Sequence, residues 1–225
     1  MRVAPRFVPA LGRAWLTPYY DVVVRTTTRE RRFKRALIAQ AGLAAGHRVL
    51  DLAAGTGTLA IWMKQHQPSL EIAAVDGDPA ILAIASRKAA AANADVQWVD
   101  ALSTELPFPS AHFDRVVSSL FFHHLTWEDK VRTAREVLRV LKPGGELHVA
   151  DWGRPTGPLM RGLFVSIQLL DGYESTSDNL AGKLVTLFEE AGFVDVCQRQ
   201  ALDTIFGTMA LYAAVRPAPQ VLATT

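Results

Sequence analysis

The chain has 225 residues, 49% hydrophobic and 20% charged, with a formal net charge of +2 and a single cysteine. That length and balance suit one globular domain with a modest addition, and they exclude a disordered or fibrous chain. Lone Cys197 excludes an internal disulfide and a cysteine metal cluster, and so small a positive excess gives no reason to invoke nucleic acid.

No stretch approaches the ~18 apolar residues of a membrane span, and the basic start Met1–Arg6 is not followed by a secretory apolar core. A reducing cytoplasm is the expected compartment. Residues 1–12, with Pro5, Pro9 and Gly12, read as a loose arm, and residues 13–24 are aromatic but interrupted by Pro18. Thr28 is placed to cap a helix from Arg29 to Ala41 that carries Phe33, Leu37 and Ile38 on one face and closes at Gly42. Residues 1–45 are therefore expected to form an N-terminal helical lid. Its run Arg25, Arg29, Arg31, Arg32, Lys34 and Arg35 is either a solvated outer face or a contact for an anionic group, on a ligand or on membrane headgroups.

From residue 47 strands and helices alternate, the signature of an α/β fold with a doubly wound, mostly parallel sheet, here over residues 46–216. The expected strands are His47–Leu52, Leu70–Val75, Asp95–Val99, Phe113–Ser119 and Glu146–Ala150. Between them the expected helices are Thr58–His66, stopped by Pro68; Ala80–Ala92, capped by Asp78 with Pro79 following; and one capped by Thr126. Leu106-Pro107-Phe108-Pro109 makes the third crossover mostly loop. After the break at Gly153–Pro158, the segment 153–175 is expected to cap the cleft through apolar Leu159–Leu170. A helix Leu180–Ala191 and two last strands, Phe193–Arg199 and Phe206–Val215, joined by a long connection, bring the sheet to about seven strands with an antiparallel one at the end. Residues 217–225 are expected to be a disordered tail.

Val49-Leu50-Asp51-Leu52-Ala53-Ala54-Gly55-Thr56-Gly57-Thr58-Leu59-Ala60 is the organising stretch: a buried strand, a glycine turn and a helix start, where backbone comes close to a ligand. Gly55-x-Gly57-x-x-Ala60 followed by Asp76 satisfies a loose dinucleotide fingerprint. Asp51 argues against a diphosphate, which it would repel, and for a ligand bearing an ammonium group; its other reading is a carboxylate that ties down its own loop. Acids also close other strands, at Asp76, Asp100 and Asp151, on the rim where open α/β sheets bind ligands. Such a rim suits hydroxyls, an exocyclic amine and a cation.

The blocks Val49–Gly57, Ala74–Pro79, Trp98–Ala101 with Leu106-Pro107-Phe108, Phe113-Asp114 through His124, and Val137–Gly145 resemble class I S-adenosylmethionine-dependent methyltransferases. Within that superfamily they are similar to the ubiquinone/menaquinone C-methyltransferase-like group, methyltransferase type 11. The resemblance implies S-adenosyl-L-methionine as cofactor. Asp51 with the backbone of Ala53, Gly55 and Gly57 would hold the methionine moiety, and Asp76 the ribose, with Gly77 and Asp78 beside the adenosine. Asp100 and the Ala101 N–H would meet adenine, and Ser119 to His123 would lie near the sulfonium. Tyr20, with Asp21, resembles a lid pair that closes over the cofactor; its other reading is an aromatic at the lid–core seam.

Methyl transfer is an in-line displacement, so the protein mainly aligns reactants and excludes water. A base is needed only for a nucleophile that carries a high-pKa proton. His123 and His124 are the candidates, either as a base or as a packed ring and a helix cap; Asp151 is a candidate to orient the substrate or to cap its loop. The acceptor is expected to be a small molecule: a quinol carbon, a lipid amine or a natural-product hydroxyl. The apolar cap and basic lid lean toward a hydrophobic or membrane-delivered one, and no metal is expected. An NAD-dependent oxidoreductase and a non-catalytic cofactor-binding module stay open as alternatives.

Overall fold

A computed structural model describes residues 30–165, 167–168 and 172–218. Residues 1–29, and with them Tyr20 and the Thr28 cap, lie outside the described residues, as do 219–225 of the expected tail.

The sheet is built from β1 (Arg48–Leu52), β2 (Glu71–Asp76), β3 (Gln97–Asp100), β4 (Phe113–Ser119), β5 (Leu141–Trp152), β6 (Val194–Thr204) and β7 (Gly207–Val215). Their order across it is β3-β2-β1-β4-β5-β7-β6. All neighbouring pairs from β3 to β5 are parallel, and β7 runs antiparallel to both β5 and β6. The order reverses between β1 and β4, the switch point at which this architecture opens a crevice.

The helices are α1 (Glu30–Gln40), α2 (Thr58–His66), α3 (Pro79–Ala91), α4 (Trp127–Val140), α5 (Pro158–Leu163), α6 (Tyr173–Leu180) and α7 (Leu184–Ala191). One sheet face buries Leu50, Val116, Leu147, Val149 and Tyr212 against Ala134 and Val137 of α4 and Leu184, Leu187 and Phe188 of α7. The other buries Val49, Ala74, Val117 and Ala150 against Phe33, Leu37 and Ile38 of α1 and Leu59 and Met63 of α2. The described end of the expected lid is thus a layer of the sheet domain. Gln40 pins it there, its Nε2 donating to the Tyr212 carbonyl at 2.8 Å and meeting His148 Nδ1 at 3.2 Å. Burial and the Arg115 charge hold the His148 pKa down at about 4, so its ring is neutral at pH 7 and able to accept.

Two expectations are corrected. Gly182, at φ +75°, ends α6 and breaks the expected Leu180–Ala191 helix, so that α7 starts only at Leu184. The first of the last two strands is longer than expected and their connection is short: β6 and β7 are separated only by Ile205 and Phe206, because Gly207 takes φ +136° and Thr204 Oγ1 accepts from the Phe206 N–H at 3.2 Å. Among the described residues, no helix is long and apolar enough to cross a membrane.

Candidate active site

Strand register gathers the rim. Asp76 lies opposite Asp100, Leu52 opposite Val75 and Ser118, and Ser119 opposite Ala150, so the ends of β1 to β5 come level. The chain leaves β1 and β4 through left-handed residues, Ala53 at φ +57° and Leu120 at φ +55°, a conformation uncommon outside glycine and held here by neighbours. Ala54 N–H donates to the Val75 carbonyl at 2.9 Å and Leu120 N–H to the Ala150 carbonyl at 2.8 Å. Gly55 at φ +55° and Gly57 at φ +76° complete the first turn. A Cβ built at Gly55 meets nothing within 4 Å, whereas one at Gly57 would stand 2.5 Å from the Trp98 ring. Gly57 is required by its backing; Gly55 leaves open space above the turn.

Asp51 sits beneath this turn, 1% exposed. Gly57 gives α2 no side-chain cap, and Asp51 accepts the Ala60 N–H of its first turn instead. Its Oδ2 has no hydrogen-bond partner among the described residues. Burial pushes its pKa up to about 7, against the pull of the Lys34 charge. Lys34 is itself buried and bonded to Glu30 at 2.7 Å, so among the described residues one ammonium answers two carboxylates. The other cations of the basic run within α1, Arg31, Arg32 and Arg35, are exposed on its outer face. Loop tie and unpaired carboxylate are therefore both true of Asp51.

Asp76 Oδ2 accepts the Gly55 N–H at 2.9 Å and Oδ1 the Asp78 N–H at 3.1 Å, with Gly77 contributing a further backbone bond. Burial raises its pKa despite them. Asp78 caps α3, accepting the Ala80 N–H at 2.8 Å, with Pro79 in the first turn. Asp100 is exposed at the end of β3. The Ala101 N–H donates to the Asp76 carbonyl at 3.2 Å. Lys88 donates to Thr56 Oγ1 at 2.9 Å and Thr58 Oγ1 at 3.0 Å, tying the glycine turn to α3.

Across the switch point the residues after β4 form a 3-10 turn, Phe122–His124. His123 Nδ1 lies 2.6 Å from Asp151 Oδ1 at the end of β5, with both side chains buried. Asp151 also accepts the N–H groups of Phe121 at 3.2 Å, His123 at 3.3 Å and Trp152 at 2.7 Å. Burial alone would raise the pKa of this carboxyl, but His123 and the Trp152 amide lower it, and it is held ionised. The proton of this contact therefore sits on Nδ1, which makes Nε2 the basic nitrogen. His124 is exposed, its ring centroid 4.0 Å from that of His123. Trp152 is 2% exposed and packs edge-on against His123 and Phe164, an apolar wall beside the pair.

Sequence reasoning missed Lys88 and Lys130, and it placed Lys34 in the basic run without its carboxylate neighbours. Lys130 has a visible signal: with Thr133, Ala134, Val137 and Val140 it forms the buried stripe of α4.

This sheet order, glycine turn and acidic rim define the class I methyltransferase fold. Residues 49–145 match the family model described as "Methyltransferase domain". The demethylmenaquinone methyltransferase of Thermus thermophilus is 37% identical over 142 residues, 62% of this chain and 64% of that protein. The ubiquinone/menaquinone biosynthesis C-methyltransferase UbiE of Pseudomonas putida is 35% identical over 172 residues, 74% of this chain and 64% of that protein. The chain thus spans just under two thirds of the length of these relatives. A solved S-adenosylmethionine-dependent methyltransferase, SibL in its apo form, superposes with a TM-score of 0.70 at 23% identity, covering 82% of this chain and 54% of that one; it is similar in fold.

Proposed function

We propose that the chain binds S-adenosyl-L-methionine on the rim of β1 to β3 and moves its methyl group to a small, proton-bearing, hydrophobic acceptor beside His123. The observation that carries the reading is Asp51, a buried carboxylate with an oxygen lacking a partner, beneath a glycine turn that leaves open space. Such a group fits an ammonium and opposes a diphosphate, which also weighs against a nicotinamide dinucleotide.

When bound, S-adenosyl-L-methionine supplies an electrophilic methyl carbon on a sulfonium. Asp51 answers the ammonium of its amino-acid half, with Ala53, Gly55 and Gly57 supplying close backbone. Asp76 keeps acceptor capacity beyond its backbone bonds for ribose hydroxyls, since each carboxylate oxygen has more than one lone-pair direction. Gly77 and Asp78 border the adenosine, and Asp100 is placed to accept from an exocyclic amine. Ser119 lies at the end of β4, next to the histidine turn. His123 takes the acceptor's proton on Nε2 while Asp151 holds the ring and stabilises the imidazolium. Trp152 packs against His123 and Phe164 against Trp152, an apolar flank that supports an aromatic acceptor. The relatives' names point to a quinol-type acceptor, and the fold has no need of a metal for this reaction.

Calorimetry of the purified chain with S-adenosylhomocysteine and with NADH tests the cofactor. Heat from the first and none from the second is expected; saturation by NADH alone overturns the reading. Mass spectrometry across quinols, phenols and lipid amines, with the cofactor present, then identifies the acceptor. Methylation of only aliphatic amines would remove the aromatic, proton-bearing class.

A further inference from the structure

Helix α6 packs against the 3-10 turn that carries His123 and against β5. Helical spacing divides its surface: Tyr173 and Ser177 are exposed, whereas Thr176 and Asn179 are wholly buried. The buried face is therefore the one that meets the turn and the strand. The neighbours of Asn179 bracket its direction. Asp178 reaches toward α4, its Oδ2 3.6 Å from Lys130 Nζ. Leu180 packs on the apolar cluster that holds Trp152, Phe164 and Ile167. Asn179 stands between them, on the side of the histidine turn, and the Trp152 ring lies 6.4 Å from that of His123.

Thr176 is satisfied within the helix, its Oγ1 donating to the Gly172 carbonyl at 2.6 Å. Asn179 is not: neither Nδ2 nor Oδ1 has a hydrogen-bond partner among the described residues. A protein interior answers the great majority of its buried polar atoms, so an amide unanswered at both ends calls for a reason. Packing alone supplies none, because leucine has nearly the same shape and nothing to satisfy. The chemistry of the amide states what is missing. Nδ2 needs an acceptor and Oδ1 needs a donor. A hydroxyl on a ring offers both, since its O–H donates and its lone pairs accept. An alkylammonium carries donors only and leaves Nδ2 unanswered, and a plain hydrocarbon leaves both.

We propose that Asn179 is a specificity-determining residue of the acceptor site, its amide holding a ring hydroxyl beside His123 and the Trp152 flank. The inference rests on the acceptor lying beside His123. Asn179 pairs with the acceptor's oxygen and stays remote from the cofactor rim of β1 to β3. Its loss therefore weakens acceptor binding and leaves the cofactor held as before.

The test reads binding, not turnover. Naphthol and methylnaphthalene, rings of similar size that differ in the hydroxyl, are titrated into the full chain by ligand-observed NMR, with and without S-adenosylhomocysteine. The wild-type chain should bind naphthol about tenfold or more tightly than methylnaphthalene. In Asn179→Leu that preference should vanish, while the ligand-free variant melts no lower than wild type and its Kd for S-adenosylhomocysteine is unchanged. A residue with a merely structural role would lower the melting point and leave the preference in place. If Asn179→Leu does not fold, Asn179→Ala is read in the same way. No measurable naphthol binding, equal affinities in the wild type, or a preference that survives the substitution overturns the proposal and leaves the amide to trapped water. A preference that vanishes in Asn179→Leu, in a chain that gives no heat with S-adenosylhomocysteine, supports the hydroxyl site and removes the methyltransferase reading.

Discussion

His123 Nδ1 stands 2.6 Å from Asp151 Oδ1, and both side chains are out of solvent. A carboxylate that also accepts the backbone N–H groups of Phe121, His123 and Trp152 can neither swing away nor take the proton, so it fixes the tautomer and orientation of the ring. His123→Gln is expected to lower kcat by about 100-fold or more for a hydroxyl-bearing acceptor while the Kd for S-adenosylhomocysteine stays unchanged. Asp151→Asn should do the same and also shift the pH profile. Equal loss of kcat and cofactor affinity would place the pair in the fold rather than in the chemistry.

Asp51 makes cofactor binding depend on pH. Its carboxyl titrates near 7 in the folded chain against an ordinary 3.8, so the folded state keeps a proton that the unfolded state has lost. Stability should therefore fall as pH rises from about 4 to 7 and level off above that, because the proton is retained by the fold. A ligand ammonium selects the ionised form, so S-adenosylhomocysteine should bind up to about tenfold more tightly per pH unit as pH approaches 7, then level off. Asp51→Asn should abolish that dependence and, at pH 8, melt higher in the absence of ligand by about 2–4 °C for each kcal/mol relieved. Calorimetry and melting curves at pH 5.5, 7 and 8.5 check both signs.

Much of the fold is legible because local signals agree with the tertiary result. Asp78-Pro79 and Thr126 mark helix starts that the structure keeps, and the valine-rich run Phe113–Ser119 forms the strand expected of it. The rim is legible for the same reason: acids at strand ends must converge once the strands are parallel and in register. What stays hidden depends on partners remote in sequence. Lys34 and Lys130 look like surface lysines, and only the arrival of Asp51 near the first and Asp178 beside the second shows what answers them in the interior. The bond from the Ala101 N–H to the Asp76 carbonyl likewise forms only once β2 lies beside β3.

Arg139 clasps the crossover that precedes β4. Its guanidinium donates to the Leu106 carbonyl at 2.9 Å and the Phe108 carbonyl at 2.7 Å while bonded to Glu136, whose Oε2 accepts the Leu106 N–H at 2.8 Å. The segment has two prolines and no regular structure to hold it, so this bracket sets its path. Arg139→Ala should destabilise the chain by roughly 1–3 kcal/mol in urea unfolding and speed amide exchange of residues 102–109, with α4 itself protected. A change confined to α4 would show that the bracket supports the helix instead.

Gly57 and Trp98 come from separate elements and meet behind the glycine turn. The glycine's φ of +76° disfavours any side chain, and a Cβ there would also meet Ala85 at 3.0 Å besides the indole. Gly57→Ala therefore combines backbone strain with overpacking and should cost about 2–4 kcal/mol, weakening S-adenosylhomocysteine binding because the turn it displaces carries Gly55. The indole is the part that can be removed. Trp98→Leu in the same chain should recover the overpacking share and leave the backbone share, so the double variant should lie between Gly57→Ala and Trp98→Leu in binding, by calorimetry. A double variant no better than Gly57→Ala would mean that the left-handed backbone alone demands glycine here.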